Sequence, residues 1–452
     1  MTPEQPQLGS QSPSASSRIQ ARAGWLLIAA GLLIIPFCVS FFFYGDGGLR
    51  YEALKTLADS GKLLSTRCSY IGPVFSLPLL WLDRGLAIAP ALTVRYNWFL
   101  LVAGMAAFSL LFRGILPVRT RQRFLLLLMM GSLFTNHVRF FHGEVFTAIL
   151  VGVGLVLVSR SGLGWLLTVL GVVNMPPTAC GLFFVLTQKT CASRRLRYAL
   201  LFVACVALIT LESVWITGQF GTGGFTADQG NKTMLPYSGL PGFSYPFFFG
   251  LLSILFSFGK GLVYFAPGLL LPLYRRLDRP EDAPLREVYL LWILFLAGMV
   301  AIYAKWWAWY GGWCFGPRFF VFASIPASLA LAVYLERPSR RLAANLAVLG
   351  ALALSLWVGV AGAIFHTDHL EIGVAYNYAL EHLIWHVPEF SVLWHPWVER
   401  NALDWKDAVI LLYAGVVFLF LGGATLAATY GQLRTQVIRL ATYMVAWKDW
   451  RL

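Results

Sequence analysis

Long uninterrupted apolar runs alternate with short polar loops over nearly the whole chain. The first extends from about Trp25 to Phe43, and the next from about Trp98 to Phe112. A third ends at Phe134 and a fourth returns to Arg160. The run from Gly162 to Thr187 is broken by Asn174-Met-Pro-Pro177 and is expected to form two short helices meeting at that break. Further runs start near Tyr198, Pro246, Val288, Phe319, Leu342 and Ala408. About 20 helical residues cross a hydrocarbon core of about 30 Å. Continuous rather than alternating apolar residues select helices over barrel strands, since every backbone polar group must be satisfied inside lipid. The pattern predicts an all-α fold, a polytopic transmembrane helical bundle of about 11–13 membrane segments. Between the first two runs lies a different pattern. YGDGGLRYEALKTLADSGKL, residues 44–63, places Tyr51, Leu54 and Ala58 on one helical face. PVFSLPLLWL, broken by Pro78, is too short to span. Both are expected as interfacial helices of the first outer loop.

Composition strengthens this reading, with 58% hydrophobic and 12% charged residues. The net charge of +14 suggests a nucleic-acid partner only until its placement is considered. Lysine and arginine gather in every second loop, as in RGILPVRTRQR and RRLDRPEDAPLRE, which is the positive-inside bias. The expected partner is therefore a membrane and not a nucleic acid. Arg18 and Arg22 place the N-terminus in the cytoplasm, and the polar residues 1–17 read as disordered. Residues 18–430 form the expected membrane domain, with outer loops 45–96, 218–245 and 305–318, an outer segment 366–405 and a basic cytoplasmic tail 431–452. Asn231-Lys-Thr233 fits a glycosylation sequon, a weak pattern. Six scattered cysteines have no metal-ligand spacing. Cys68 and Cys314 both fall outside, so a bridge between them stays open beside the plainer reading as apolar filler.

Ionisable residues at the outer side of a membrane protein need a reason. Asp46 follows the first run, Glu52 lies further along the same loop, and Glu144 lies in TNHVRFFHGE with His137, Arg139 and His142. Lys260 sits in an apolar stretch between glycines, and Lys305 and Arg318 bracket KWWAWYGGWCFGPR. Each has a plain alternative. Asp46 caps a helix, Glu52 pairs with Lys55, Glu144 pairs with Arg139, Lys260 snorkels, and the aromatic loop is an interfacial belt. Five of the seven histidines, including His366, His369, His382 and His386, lie in the last outer segment. His366 with His369, and His382 with His386 at i and i+4, could ligate a metal, but no HExxH pattern accompanies them, an amphipathic interfacial helix explains Tyr378, Leu383 and Trp385 as well, and no metal ligand is assigned.

Three stretches give the chain a resemblance. Asp46 with RYEALKTLADSGKL, SFGKGLVYFAP (257–267) and WYGGWCFGPRFF (309–320) resemble segments of the GT-C superfamily of polytopic glycosyltransferases, among them protein-mannosyltransferase-like and aminoarabinose-transferase-like enzymes. Phe258 departs from the proline usual in the second. The resemblance implies a GT-C-like bundle in a bacterial inner membrane, with its active site extracytoplasmic. It implies transfer of a sugar from a polyprenyl-phosphate donor to a hydroxyl of an acceptor lipid, glycan or protein, with inversion. It casts Asp46 and Glu144 as the catalytic carboxylates, and Arg318, Lys260 and Lys305 as phosphate ligands. Tyr51, Arg139, His142, Trp309 and Tyr310 become substrate contacts. No cofactor is required, and a divalent cation is left open. Transport or flipping of a lipid-linked sugar is the alternative, and a scaffold role is a third.

Overall fold

The computed structural model describes residues 15–218, 231–365, 371–399 and 402–449, with backbone alone at 15–18 and 445–449. Residues 1–14 of the N-terminus expected to be disordered, residues 219–230 of the 218–245 loop, and His366 and His369 fall outside the described residues, whereas residues 15–17 already belong to the first helix.

Among the described residues the fold is all-helical. α1 (Ala15–Cys38) is followed by α2 (Asp46–Ser60), α3 (Ile71–Val74) and α4 (Leu77–Gly85). α5 (Tyr96–Leu111), α6 (Val118–Met130), the single turn α7 (Phe134–His137) and α8 (Gly143–Leu157) form the centre. α9 (Leu163–Asn174), α10 (Ala179–Ser193) and α11 (Arg197–Thr217) lie beside them. α12 (Phe247–Phe256), α13 (Leu262–Phe265), α14 (Ala283–Tyr303), α15 (Ser324–Glu336) and α16 (Leu342–Ile364) continue the bundle. Short helices α17 (Glu371–Val374), α18 (Glu381–His386) and α19 (His395–Val398) precede the long α20 (Trp405–Asp449). Among the described residues seven helical stretches are long and apolar enough to cross a membrane, and α8, α9 and α12 are shorter apolar helices. The protein is an integral membrane protein of the kind the apolar runs predict.

Burial follows the sequence pattern in the middle of the bundle. α8 is apolar on all sides and buried along nearly its full length, as a helix surrounded by others must be. It crosses α9 where Gly154 meets Gly164, and a Cβ built on Gly154 would lie 2.8 Å from the Gly164 carbonyl oxygen. Small residues here let the two backbones touch. The NMPP break forms as expected: α9 stops at Asn174, Met175 takes a non-helical φ/ψ of −140°/79° before Pro176, and one 3₁₀ turn leads to α10. The first apolar run differs from expectation at its end. α1 stops at Cys38, and Phe42 instead donates its N–H to the Arg139 carbonyl at 2.9 Å. The Arg139 guanidinium holds this segment in place through the Ser40 carbonyl. Cys68 and Cys314 are both free thiols, so the bridge between them does not form.

Candidate active site

α2 begins at Asp46 itself rather than near Leu49, with Gly45 (φ 54°) as the preceding residue and no side-chain capping bond. The capping alternative therefore fails, and the carboxylate is directed elsewhere. Gly47 lets the helix start approach the next outer loop, since a Cβ there would lie 3.1–3.2 Å from the His142 ring and the Phe141 backbone. Leu54 packs with Leu80, Tyr96, Phe141 and Phe146 beneath the helix, and Tyr51 stacks on Phe43 at 3.9 Å. Glu52 is exposed.

The Asp46 carboxylate lies between two guanidinium groups. Arg318 donates from Nη2 to Oδ2 at 2.5 Å, and Arg67 donates from Nη2 to Oδ1 at 2.9 Å. Arg318 Nε also lies 3.1 Å from Glu144 Oε1. That contact is an ion pair without hydrogen-bond alignment, because the Nε–H has no acceptor in line. Arg318 thus bridges carboxylates far apart in sequence, one on α2 and one in the first turn of α8. Glu144 Oε2 is buried with no hydrogen-bond partner among the described residues. Two arginines and two carboxylates leave the cluster formally neutral. Burial raises the Asp46 pKa, but Arg318 and then Arg67 outweigh it and hold the carboxyl well below its usual range. His142, beside Glu144 and Asp46, is held below its ordinary value by burial, only partly offset by Glu144. Neutral, it donates from Nε2 to the Tyr44 carbonyl at 3.1 Å and leaves Nδ1 as an unpaired acceptor.

Lys260 does something other than the sequence suggests. Its ammonium is 2% exposed and donates to three backbone carbonyls: Gly312 at 3.1 Å, Cys314 at 2.7 Å and Gly316 at 3.1 Å. It neither snorkels nor presents a free charge to a phosphate. It ties down the loop that carries Arg318, and His137 adds a contact from Nε2 to the Phe315 carbonyl at 3.1 Å. Gly311, Gly312 and Gly316 all adopt positive φ, and a side chain on Gly311 would press within 3.0 Å of Arg318 Cγ. Glu381 is buried near Lys260. Burial raises its pKa to about 7 despite the offsetting Lys260 charge.

The remaining expected contacts are supports. Arg139 is 1% exposed, and its guanidinium donates to the Ser40, Gly362 and Ala363 carbonyls. Glu144 therefore pairs with Arg318 where pairing with Arg139 was the alternative. Trp309 and Tyr310 are buried, and Tyr310 stacks on Trp385 of α18 at 3.9 Å, which fastens the last outer segment over the loop. Lys305 is exposed and engages through its backbone carbonyl. Among the described residues no three His, Cys, Asp or Glu side chains gather where they could hold a metal.

Two participants were missed. Arg67 is one of six cations in the first outer loop, with Arg50, Lys55, Lys62, Arg84 and Arg95, and nothing in its sequence neighbourhood sets it apart from them. Asn174, in the NMPP break, joins the two carboxylate-bearing helices. Its Oδ1 accepts from Arg50 of α2 at 3.1 Å and from the Gly72 N–H at 3.2 Å. Its Nδ2 donates to the Gly143 carbonyl at 2.8 Å and to Thr147 Oγ1 at 3.0 Å, both on α8. Glu212 of α11 completes the frame by accepting from Ser69 Oγ and Tyr70 N–H. Asn174→Leu removes four buried hydrogen bonds at once. At about 1 kcal/mol each, it should cost roughly 3–4 kcal/mol of stability, read as a lowered unfolding midpoint in detergent. The milder Asn174→Asp keeps the acceptor and should lose about half of that. Equal midpoints for both variants and the parent would remove Asn174 from this role.

No protein-family model matches the sequence, and no curated protein matches it. The fold, by contrast, has solved counterparts. Over 90% of this chain and 78% of the other, it is similar to the crystal structure of ArnT from Cupriavidus metallidurans in the apo state, with a TM-score of 0.50 and 14% identity. For ArnT from the same organism bound to undecaprenyl phosphate, the TM-score is 0.51 at 13% identity, over 93% and 79% of the two chains. This likeness establishes a GT-C-like fold.

Proposed function

We propose that the protein is a membrane glycosyltransferase that moves a sugar from a polyprenyl-phosphate donor to an acceptor hydroxyl, with Asp46 as general base and Arg318 and Arg67 as the phosphate-binding cations. The observation that carries this reading is the Asp46–Arg318–Glu144 cluster with Arg67. The undecaprenyl phosphate bound by the similar ArnT structure supports a lipid-phosphate donor.

The mechanism follows from the charges. Both guanidinium groups now face carboxylates. An incoming lipid phosphate competes for them with comparable bidentate hydrogen bonds. As the arginines turn toward phosphate, Asp46 loses the partners that hold its pKa down and becomes a stronger base. Donor binding and base activation are then one event. The acceptor oxygen attacks the anomeric carbon, its proton passes to Asp46, and the bond from the anomeric carbon to the phosphate oxygen breaks with its electron pair on phosphate. Negative charge grows on that phosphate in the transition state, where fixed arginines stabilise it most. Attack opposite the leaving group inverts the anomeric centre. Glu144 balances Arg318, and Lys260 holds the Arg318 loop rigid. No step of this mechanism passes through a metal ion. The arginine-rich loops lie at the opposite end of the bundle from this cluster, which supports an active site on the extracytoplasmic side of a bacterial inner membrane.

Purified protein given a radiolabelled polyprenyl-phosphate sugar and a panel of lipid, glycan and peptide acceptors should release polyprenyl phosphate and label an acceptor. Movement of intact donor between leaflets without cleavage would overturn the enzyme reading in favour of a flippase.

A further inference from the structure

α20 is far longer than a membrane requires, and its exposed side has a strict repeat. No charge lies between Asp407 and Arg434, and the helix continues to Asp449. At 1.5 Å per residue, the part beyond Arg434 projects about 24 Å. Gln432 bonds to the Ser339 carbonyl and to Asn345, and this is where the helix leaves the bundle. From Leu433 to Met444 every residue is exposed. Along the whole helix leucine recurs every seventh position, at Leu412, Leu419, Leu426, Leu433 and Leu440. Three residues before a leucine stand Val409, Val416 and Val437, with Gly423 and Tyr430 at the equivalent places. The repeat is a heptad with leucine at d and mainly β-branched residues at a. The bundle is packed from the other side, through Ile410, Tyr413, Val417, Leu421 and Thr425. The seam is unpartnered towards its two ends, with Leu412 70%, Val437 63% and Leu440 63% exposed, while Val409, Gly423 and Leu426 are half-buried.

We infer that α20 pairs with α20 of a second copy of this chain as a parallel two-stranded coiled coil that begins in the membrane and extends past the arginine-rich end of the bundle. Lipid accounts for apolar exposure as far as Tyr430, but not for the same register continuing among Arg434, Gln436 and Arg439, where the helix is in water. Valine at a with leucine at d favours two parallel strands. Copies inserted in one membrane with the same orientation are parallel already, and membrane confinement raises their effective concentration enough for a short seam. The flanking positions allow the pairing. In a parallel coil Gln436 faces Ala441 of the other helix, so no like charges meet there.

The test uses the full-length protein in lipid bilayers with Cys191, the exposed native thiol, replaced by serine. Leu440→Cys at d should form a covalent dimer under mild oxidation, while Thr442→Cys on the far side of the helix should form several-fold less. Single-molecule photobleaching should count two subunits in the parent and one in the Leu433→Lys/Leu440→Lys variant, whose unfolding midpoint should match the parent because both leucines lie off the bundle. Equal cross-linking at 440 and 442, none at 440, or single subunits in the parent would each overturn the proposal.

Discussion

Asp46→Asn should lower the rate of sugar transfer by roughly 10²- to 10⁴-fold, the usual contribution of a positioned general base, without weakening donor binding. Asparagine keeps the shape of the side chain and an acceptor oxygen but cannot take the acceptor proton. The substitution also removes the carboxylate that competes with phosphate for Arg318 and Arg67. The Michaelis constant for donor should therefore stay level or fall while turnover collapses. This split separates a catalytic from a structural role, since a helix-start aspartate of merely structural value would affect stability and leave turnover of the folded fraction intact. Single-turnover kinetics on protein shown by native mass spectrometry to hold donor lipid would decide it. Parent-like turnover would remove Asp46 from the reaction.

Arg318→Ala should affect stability and binding together, and the two can be separated. Arg318, Asp46 and Glu144 have side-chain exposures of 16%, 21% and 9%, so solvent screens them little. Removing the cation leaves Glu144 buried without its counter-ion, a loss of roughly 3–5 kcal/mol in such settings. Adding Glu144→Gln should recover much of the stability by removing the uncompensated charge. It should not recover affinity for polyprenyl phosphate, because the phosphate ligand is still missing. A charge-assisted hydrogen bond is worth about 1.5–3 kcal/mol, so donor should bind roughly 10- to 150-fold more weakly. Arg318→Lys should fall between, since an ammonium cannot hold Asp46 and Glu144 with one rigid fork. Microscale thermophoresis with polyprenyl phosphate reads the affinity, and thermal unfolding in detergent reads the stability. Unchanged affinity and turnover in both single variants would show that Arg318 only holds the fold together.

Acidification bears on the same cluster. The folded-state pKa of Asp46 is depressed. Its ion pairs therefore contribute stability above the ordinary carboxylate range and lose it as pH falls through the lower folded value.

The helical architecture and the three segments that build the site could be read from the chain, because lipid forces intra-segment hydrogen bonding and because charge follows membrane sidedness. Asp46, Glu144 and Arg318 stood out as charges where charge is costly. Their contacts did not. Residue 46 meets residue 318 only because α2 packs closely at Gly47 against the Phe141–His142 loop and because Lys260 folds residues 312–316 around its own amine. A lysine between glycines in an apolar run looks the same in sequence whether it faces a headgroup, a substrate or three carbonyls. Geometry alone distinguished these roles, and it moved Lys260 from phosphate ligand, and Arg139, Trp309 and Tyr310 from substrate contact, to support. The same holds for Asn174. The NMPP break is visible as a break, but the four hydrogen bonds that make it a junction join residues more than twenty positions apart. Local rules, period, charge and backbone satisfaction, act on neighbouring residues and determined the elements. The site is set by which buried polar atoms find one another across the bundle, and that depends on packing, which no local pattern records.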